Sequence, residues 1–209
     1  MECFRKPLLR IEVSLKRRNT TFVVLTLLLS SATPTLAGAE APLIDRAHST
    51  ITVYVYKTGI LAGLAHNHEI KAPIAGGEVN DSEIPFVELR VDSTKLRVLD
   101  PETSDRTRET IQATMQGPEV LNVSQFPEIR FRSTRVEPNG AEHWIVHGNL
   151  DLHGQTHPIS FEVALKDGLY QGTAALKQTG FGITPVKVAG GTVKVKDEVK
   201  ITFSIALLK

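Results

Sequence analysis

The chain has 209 residues, and Lys and Arg together number 24 against 23 for Asp and Glu. Residues 1–39 hold six of the basic and two of the acidic residues, so the remainder is mildly acidic, 18 against 21; no basic stripe is left to neutralise phosphates, which excludes nucleic acid as a partner. The single cysteine, Cys3, lies in the same segment, which excludes a disulfide, a thiolate nucleophile and a sulfur metal ligand from the rest of the chain.

Basic residues Arg5, Lys6, Arg10, Lys16, Arg17 and Arg18 precede an apolar run over 22–29, and Ala37-Gly38-Ala39 supplies small residues where signal peptidase reads. The reading is a signal peptide over 1–39, with cleavage before Glu40 and a periplasmic or secreted domain over 40–209. The apolar run falls short of the about 20 residues that a membrane-spanning helix needs, so no span is expected. A domain of this size without disulfides has to rest on a hydrophobic core.

Residues 43–57 read as a strand, with Ile51, Val53 and Val55 on one face and Thr52, Tyr54 and Tyr56 on the other. Because both faces carry bulk, the tyrosines are expected to point into a lumen or under a loop. The cluster Ala65-His66-Asn67-His68-Glu69-Ile70 follows a glycine-rich stretch, and a short strand is expected around 77–80. Residues 86–92 alternate Val87, Leu89 and Val91 against Glu88 and Arg90, the pattern of a strand with one solvated side.

One helix is predicted over 104–116, capped by Ser104 or Asp105, carrying Ile111 and Met115 on its apolar stripe and ended by Gly117-Pro118. Residues 126–133 return to strand period, and Glu137-Pro138-Asn139-Gly140 is read as a turn. A β-hairpin over 144–163 is the clearest stretch of all. Trp144, Val146, Gly148, Leu150 and Leu152 share one face of its first arm, Ile159, Phe161 and Val163 share one face of its second, and Gly154-Gln155-Thr156 supplies the turn. After a turn at Asp167-Gly168, residues 169–176 and the alternating Val199, Ile201, Phe203, Ile205 and Leu207 complete the strands.

About eight short strands, one helix and no fixed-period repeat indicate a mainly β, antiparallel fold. A sheet of that size removes its edges by closing into a barrel, whose interior is filled by side chains or holds one small ligand. A sandwich is the alternative.

Catalytic signatures are missing: no nucleophile-elbow serine, no phosphate-binding glycine loop and no zinc-protease histidine pair on a helix. His143 and His147 read as exposed strand residues, and His153 and His157 as residues bonding the backbone of the hairpin turn. His66 and His68 differ, because residues two apart on an extended chain project to the same side and can converge on a metal or on the polar end of a ligand. A metal site needs a third ligand, from His48, Glu69 or His153.

The order and spacing of several motifs resemble the YceI-like proteins: His48-Ser49 before an alternating strand, the charged helix, Phe126-Pro127-Glu128-Ile129-Arg130-Phe131, the run from Gly148 through Gly154-Gln155-Thr156-His157-Pro158, and Phe181-Gly182-Ile183. The likeness covers residues 43–208. It implies an exported, lipocalin-like antiparallel barrel with a flanking helix, binding a polyisoprenoid in an apolar lumen without established catalysis and without a required cofactor. Many members have a glycine and a phenylalanine where this chain has Ala65-His66-Asn67-His68, which leaves ligand identity open between a bare hydrocarbon, a quinone or pyrophosphate head group, a metal ion and haem iron. The expected function is therefore a carrier or store of a polyisoprenoid or isoprenoid-quinone-like lipid, contacted by Tyr54, Tyr56, His66, His68 and Trp144. The alternative is a metal- or haem-binding, redox-active periplasmic protein that uses His66 and His68. A filled barrel acting as an interaction protein is a third reading, and assembly as a homodimer stays open.

Overall fold

The computed structural model of the protein describes residues 43–59, 67–80, 85–188 and 192–208. The signal segment read over 1–39 and His66 lie outside them. Strands form where one apolar row alternates with a polar one, because only that arrangement lets each segment bury one face in a shared interior. In chain order they are β1 (Ile44–Thr58), β2 (His68–Lys71), β3 (Ile74–Asn80), β4 (Phe86–Asp92), β5 (Arg97–Val98), β6 (Glu128–Pro138), β7 (His143–Leu152), β8 (Gln155–Lys166), β9 (Leu169–Lys177), β10 (Lys187–Val188) and β11 (Val193–Leu207), with helix α1 (Asp105–Gln116) between β5 and β6. All pairings are antiparallel, in the order β3-β4-β6-β7-β8-β9-β11-β1-β2-β5, with β10 beside β11.

Eight of these strands have seven or more residues, which matches the expected number, while β2, β5 and β10 have four, two and two. The sheet curls back on itself. β2 and β3 run one after the other beside β1: Ala72 N–H donates to the Ile51 carbonyl at 2.9 Å, and an isolated bridge pairs Leu43 with Glu78. Eight strands enclose an interior of the size that holds one small ligand.

The helix lies as predicted. Ser104 Oγ accepts the Thr107 N–H at 3.3 Å, and the Gly117 N–H closes the last turn on the Ala113 carbonyl at 2.9 Å. Met115 is buried and Ile111 packs on the same core, so the helix presents its apolar stripe to the barrel and its charges to solvent. Gln112 ties it to the neighbouring β5 segment, its Oε1 accepting from Val98 N–H at 2.9 Å and its Nε2 donating to the Leu96 carbonyl at 2.8 Å.

Two predicted turns move. In the hairpin the turn is the two-residue pair His153-Gly154, both with positive φ (52° and 72°), and Gln155 already pairs with Leu152. A tight two-residue turn of this kind needs positive φ at both positions, which His153 supplies together with the glycine. Glu137 and Pro138 belong to β6 rather than to a turn; Pro138 stands at the strand's last position, where a missing N–H costs no ladder bond. The reversal follows instead over 139–142, with Gly140 at φ 107° and Glu142 at φ 56°.

Candidate functional site

The inward rows of the long strands line a cavity of about 270 Å³. β1 gives it Ile51, Val53 and Val55, β7 gives Trp144, Val146, Leu150 and Leu152, β8 gives Ile159, Phe161 and Val163, and β11 gives Val199, Ile201, Phe203 and Ile205. At the end crossed by the helix, Leu96, Met115, Val120 and Leu121 complete the wall. Among the described residues of this lining, Asn80, Trp144, Tyr170 and Gln178 carry a side-chain nitrogen or oxygen, and Gln178 Nε2 is already spent on the Lys196 carbonyl at 2.8 Å. Val53, Val55, Phe161 and Phe203 face inward yet remain half-buried, because part of their surface borders the lumen.

An aromatic band crosses this interior. The rings of Phe131 and Phe161 lie 5.3 Å apart and those of Phe161 and Phe203 5.4 Å apart, in the tilted and edge-on arrangements that aromatic pairs prefer. Glycines on the intervening strands make room for it: a Cβ on Gly148 would sit 2.4 Å from Phe131 Cζ, and one on Gly172 2.4 Å from Phe203 Cζ. Trp144 joins the lumen as expected and packs against Tyr170 at 5.8 Å.

Tyr54 and Tyr56 do not enter the lumen. Val53 pairs with Ile70 and Ile201 and Val55 with Val199, so these valines take the inward face and the period of two puts both tyrosines on the other. There they line a separate polar cleft with Lys57, Asn67, His68, Glu69 and residues Asp100 to Thr103, the position under a loop. At its base His68 Nδ1 lies 2.6 Å from Asp100 Oδ2, while Asp100 Oδ1 accepts the Glu69 N–H at 2.8 Å.

A YceI-like domain model matches residues 43–207. The chain belongs to the YceI-like family. A UPF0312 protein of Yersinia pestis (strain Pestoides F) is 41% identical over 51 residues, 24% of this chain and 26% of that protein. One from Yersinia enterocolitica is 45% identical over a stretch of the same length and coverage. The chain thus spans about a quarter of the length of these relatives. Among solved structures, Burkholderia cenocepacia BcnA superposes with a TM-score of 0.62 at 15% identity, covering 79% of this chain and 99% of that one, a likeness of fold.

The remaining histidines of this YceI-like chain are dispersed. His48 Nδ1 meets Asp45 Oδ2 at 2.7 Å, at the far end of β1 from His68; His143 Nδ1 meets the Ala141 carbonyl at 2.7 Å, and His147 Nδ1 meets Ser160 Oγ at 2.7 Å. His153 and His157 do not bond the backbone of their own turn. His153 Nδ1 meets the Phe181 carbonyl at 3.1 Å, its ring packs on Phe126 at 4.8 Å, and His157 sits edge-on to Phe181 at 5.1 Å, so the pair pins the segment after β9 against the hairpin. Of the third ligands considered, His48 and His153 are held elsewhere, and Glu69, paired across the ladder with Tyr54, lines the cleft, yet among the described residues no three His, Cys, Asp or Glu side chains form a group that could hold a metal ion.

Carboxylates held below their usual range belong to hydrogen-bonded clusters outside the lumen lining. Arg130 and then Arg132 hold Glu88 down, His48 holds Asp45, the Thr94 hydroxyl holds Asp92, and the Thr179 amide and hydroxyl hold Asp197. Asp100 and the aromatic band were not singled out by the sequence. Gly148, a glycine inside an apolar row, was the available sign of the band.

Proposed function

We propose that this YceI-like protein is an exported carrier or store that holds a polyisoprenoid or isoprenoid-quinone-like chain in its barrel lumen and performs no covalent chemistry on it. The observation that supports this reading is the lining: aliphatic and aromatic side chains, with only four residues among those described that carry a side-chain nitrogen or oxygen. Such a surface recognises hydrocarbon by exclusion of water and offers little to a polar or charged ligand. The family likeness, which implies polyisoprenoid binding, points the same way.

Size sets a limit. An apolar cavity of about 150 Å³ takes benzene, so on that scale the 270 Å³ lumen takes on the order of ten carbons, about two isoprene units. At about 0.8 kcal/mol per methylene equivalent, that segment contributes roughly 8 kcal/mol before ordering costs. A longer chain has to part the lining or continue beyond the lumen. Solvent extraction of the purified protein followed by mass spectrometry tests the proposal: a long apolar lipid is expected in stoichiometric amount, and an empty lumen in protein from several hosts contradicts it.

A further inference from the structure

The lumen accommodates about two isoprene units, so a longer chain needs a way through the wall. From β3 through β4, β6, β7, β8, β9 and β11 to β1, neighbouring long strands are joined by antiparallel ladders. The circle closes between β1 and β3, and both of these strands are irregular where they meet. Residues 46–49 of β1 have no partner in the register with β11, and the amides of Ala47 and His48 turn to the Asp45 carboxylate, at 3.0 and 3.3 Å. In β3 the register with β4 shifts between Ile74 and Gly76, which leaves Ala75 without a partner on β4. Bulges of this kind end pairing at a strand edge.

Across the gap lie the isolated Leu43–Glu78 bridge, the Arg46 Nη1 bond to the Ala75 carbonyl at 3.1 Å, and the Ile44 side chain, whose Cδ1 is 2.9 Å from where a Cβ on Gly77 would stand. A closure of one bridge and two side chains opens at lower cost than a ladder, whose backbone bonds have to break together. Both surfaces that such an opening joins are apolar. Ile44, Ile51, Ala72 and Val79 line the lumen beside the seam. On the outside, Leu43 and Leu208 are 57% and 52% exposed, and the Leu208 N–H donates to the Leu43 carbonyl at 2.8 Å, so the two leucines stand side by side. They are two of the three large apolar side chains left exposed among the described residues.

We propose that the β1–β3 seam is the portal of the lumen: the hydrocarbon enters between these strands, and the part of a long chain that the lumen cannot hold emerges there over Leu43 and Leu208. This rests on the lumen reading above. Leu43 and Glu78 face each other across the seam, so L43C/E78C in a C3S background places a disulfide over it, and H147C/S160C places one in the β7–β8 ladder as a control. Uptake of tritiated solanesol, a long-chain polyprenol, is timed for each protein oxidised and reduced, with thiol titration to check the bond and circular dichroism to check the fold. Oxidised L43C/E78C should lose uptake and regain it on reduction, while the control loads equally in both states. If the clamped protein does not fold or oxidise, R46A decides, because loss of the Arg46–Ala75 bond should speed uptake. Equal uptake by oxidised and reduced L43C/E78C, a control slowed as much as the clamp, or, where R46A decides, an R46A protein that loads at the parent rate overturns the portal. A parent protein that takes up no solanesol overturns the lumen reading together with it.

Discussion

Gly148 and Gly172 shape the lumen more directly than any bulky residue, because each leaves the space that a phenylalanine ring fills. At Gly148 a Cβ would meet not only the Phe131 ring but the Arg132 carbonyl at 2.5 Å, and at Gly172 it would meet the Glu162 carbonyl at 2.4 Å, so a ring movement alone cannot relieve either. G148A and G172A are each expected to cost about 1–3 kcal/mol, read as a lowered urea midpoint. G180A, with nothing within 4 Å of its added carbon, should leave the midpoint unchanged. The sequence shows Gly148 in the apolar row but not which ring covers it, since Phe131 lies on another strand. Asp100 was illegible for a similar reason: its burial depends on β5 folding beside β2, and two residues of strand carry no period to announce that pairing. His68 was legible as chemistry, and its partner was not.

Among elements, length decided what could be read. The long strands and α1 announce themselves by periodicity, Ser104 and Gly117 mark the helix ends, and β2, β5 and β10 are too short to show a pattern. The hairpin was recognised, though its turn lies one residue earlier because a histidine there accepts positive φ. The β4–β6 pair carries a pH-dependent contribution. Glu88 Oε1 accepts from Arg130 Nη2 at 2.6 Å and Oε2 from Arg132 Nη2 at 2.7 Å, and these bonds hold its carboxyl below the ordinary range. A carboxyl depressed in the folded state adds stability above its unfolded pKa and loses it as pH falls through the folded value. Because Arg130 and Arg132 are 39% and 65% exposed, the contribution is discounted to that of a surface cluster. E88Q should therefore lower stability by up to about 1 kcal/mol at neutral pH, and the difference from the parent protein should shrink below about pH 4. A difference in urea-derived stability that stays constant across that range would contradict the assignment.

At the scale of the molecule, eight long strands were enough to anticipate a barrel, and the apolar rows were enough to anticipate its lining. Tyr54 and Tyr56 take the second of the two positions that β1 allowed. Bulk on both faces of β1 leaves the tyrosines either in the lumen or under a loop, and the valines take the interior while the tyrosines line the cleft beside residues 100–103. The wall is weakest where β1 meets β3. The register of β1 slips between Asp45 and Thr50, and among the described residues the seam is crossed by the isolated Leu43–Glu78 bridge and the Arg46 Nη1 bond to the Ala75 carbonyl at 3.1 Å. The β3 amides that face β1 should exchange hydrogen faster than those in the continuous β7–β8 ladder, and equal protection in native-state exchange would argue against a seam.

The central claim is that the lumen is a hydrocarbon site, and native mass spectrometry of the protein purified from its own source tests it most directly. The wild-type protein should carry one long apolar lipid per chain. A V55F variant, which places a ring in the lumen from a half-buried lining position, should lose that mass while keeping its far-ultraviolet spectrum. A wild-type protein that flies without any bound lipid, or a V55F variant that retains it in full, would contradict the account.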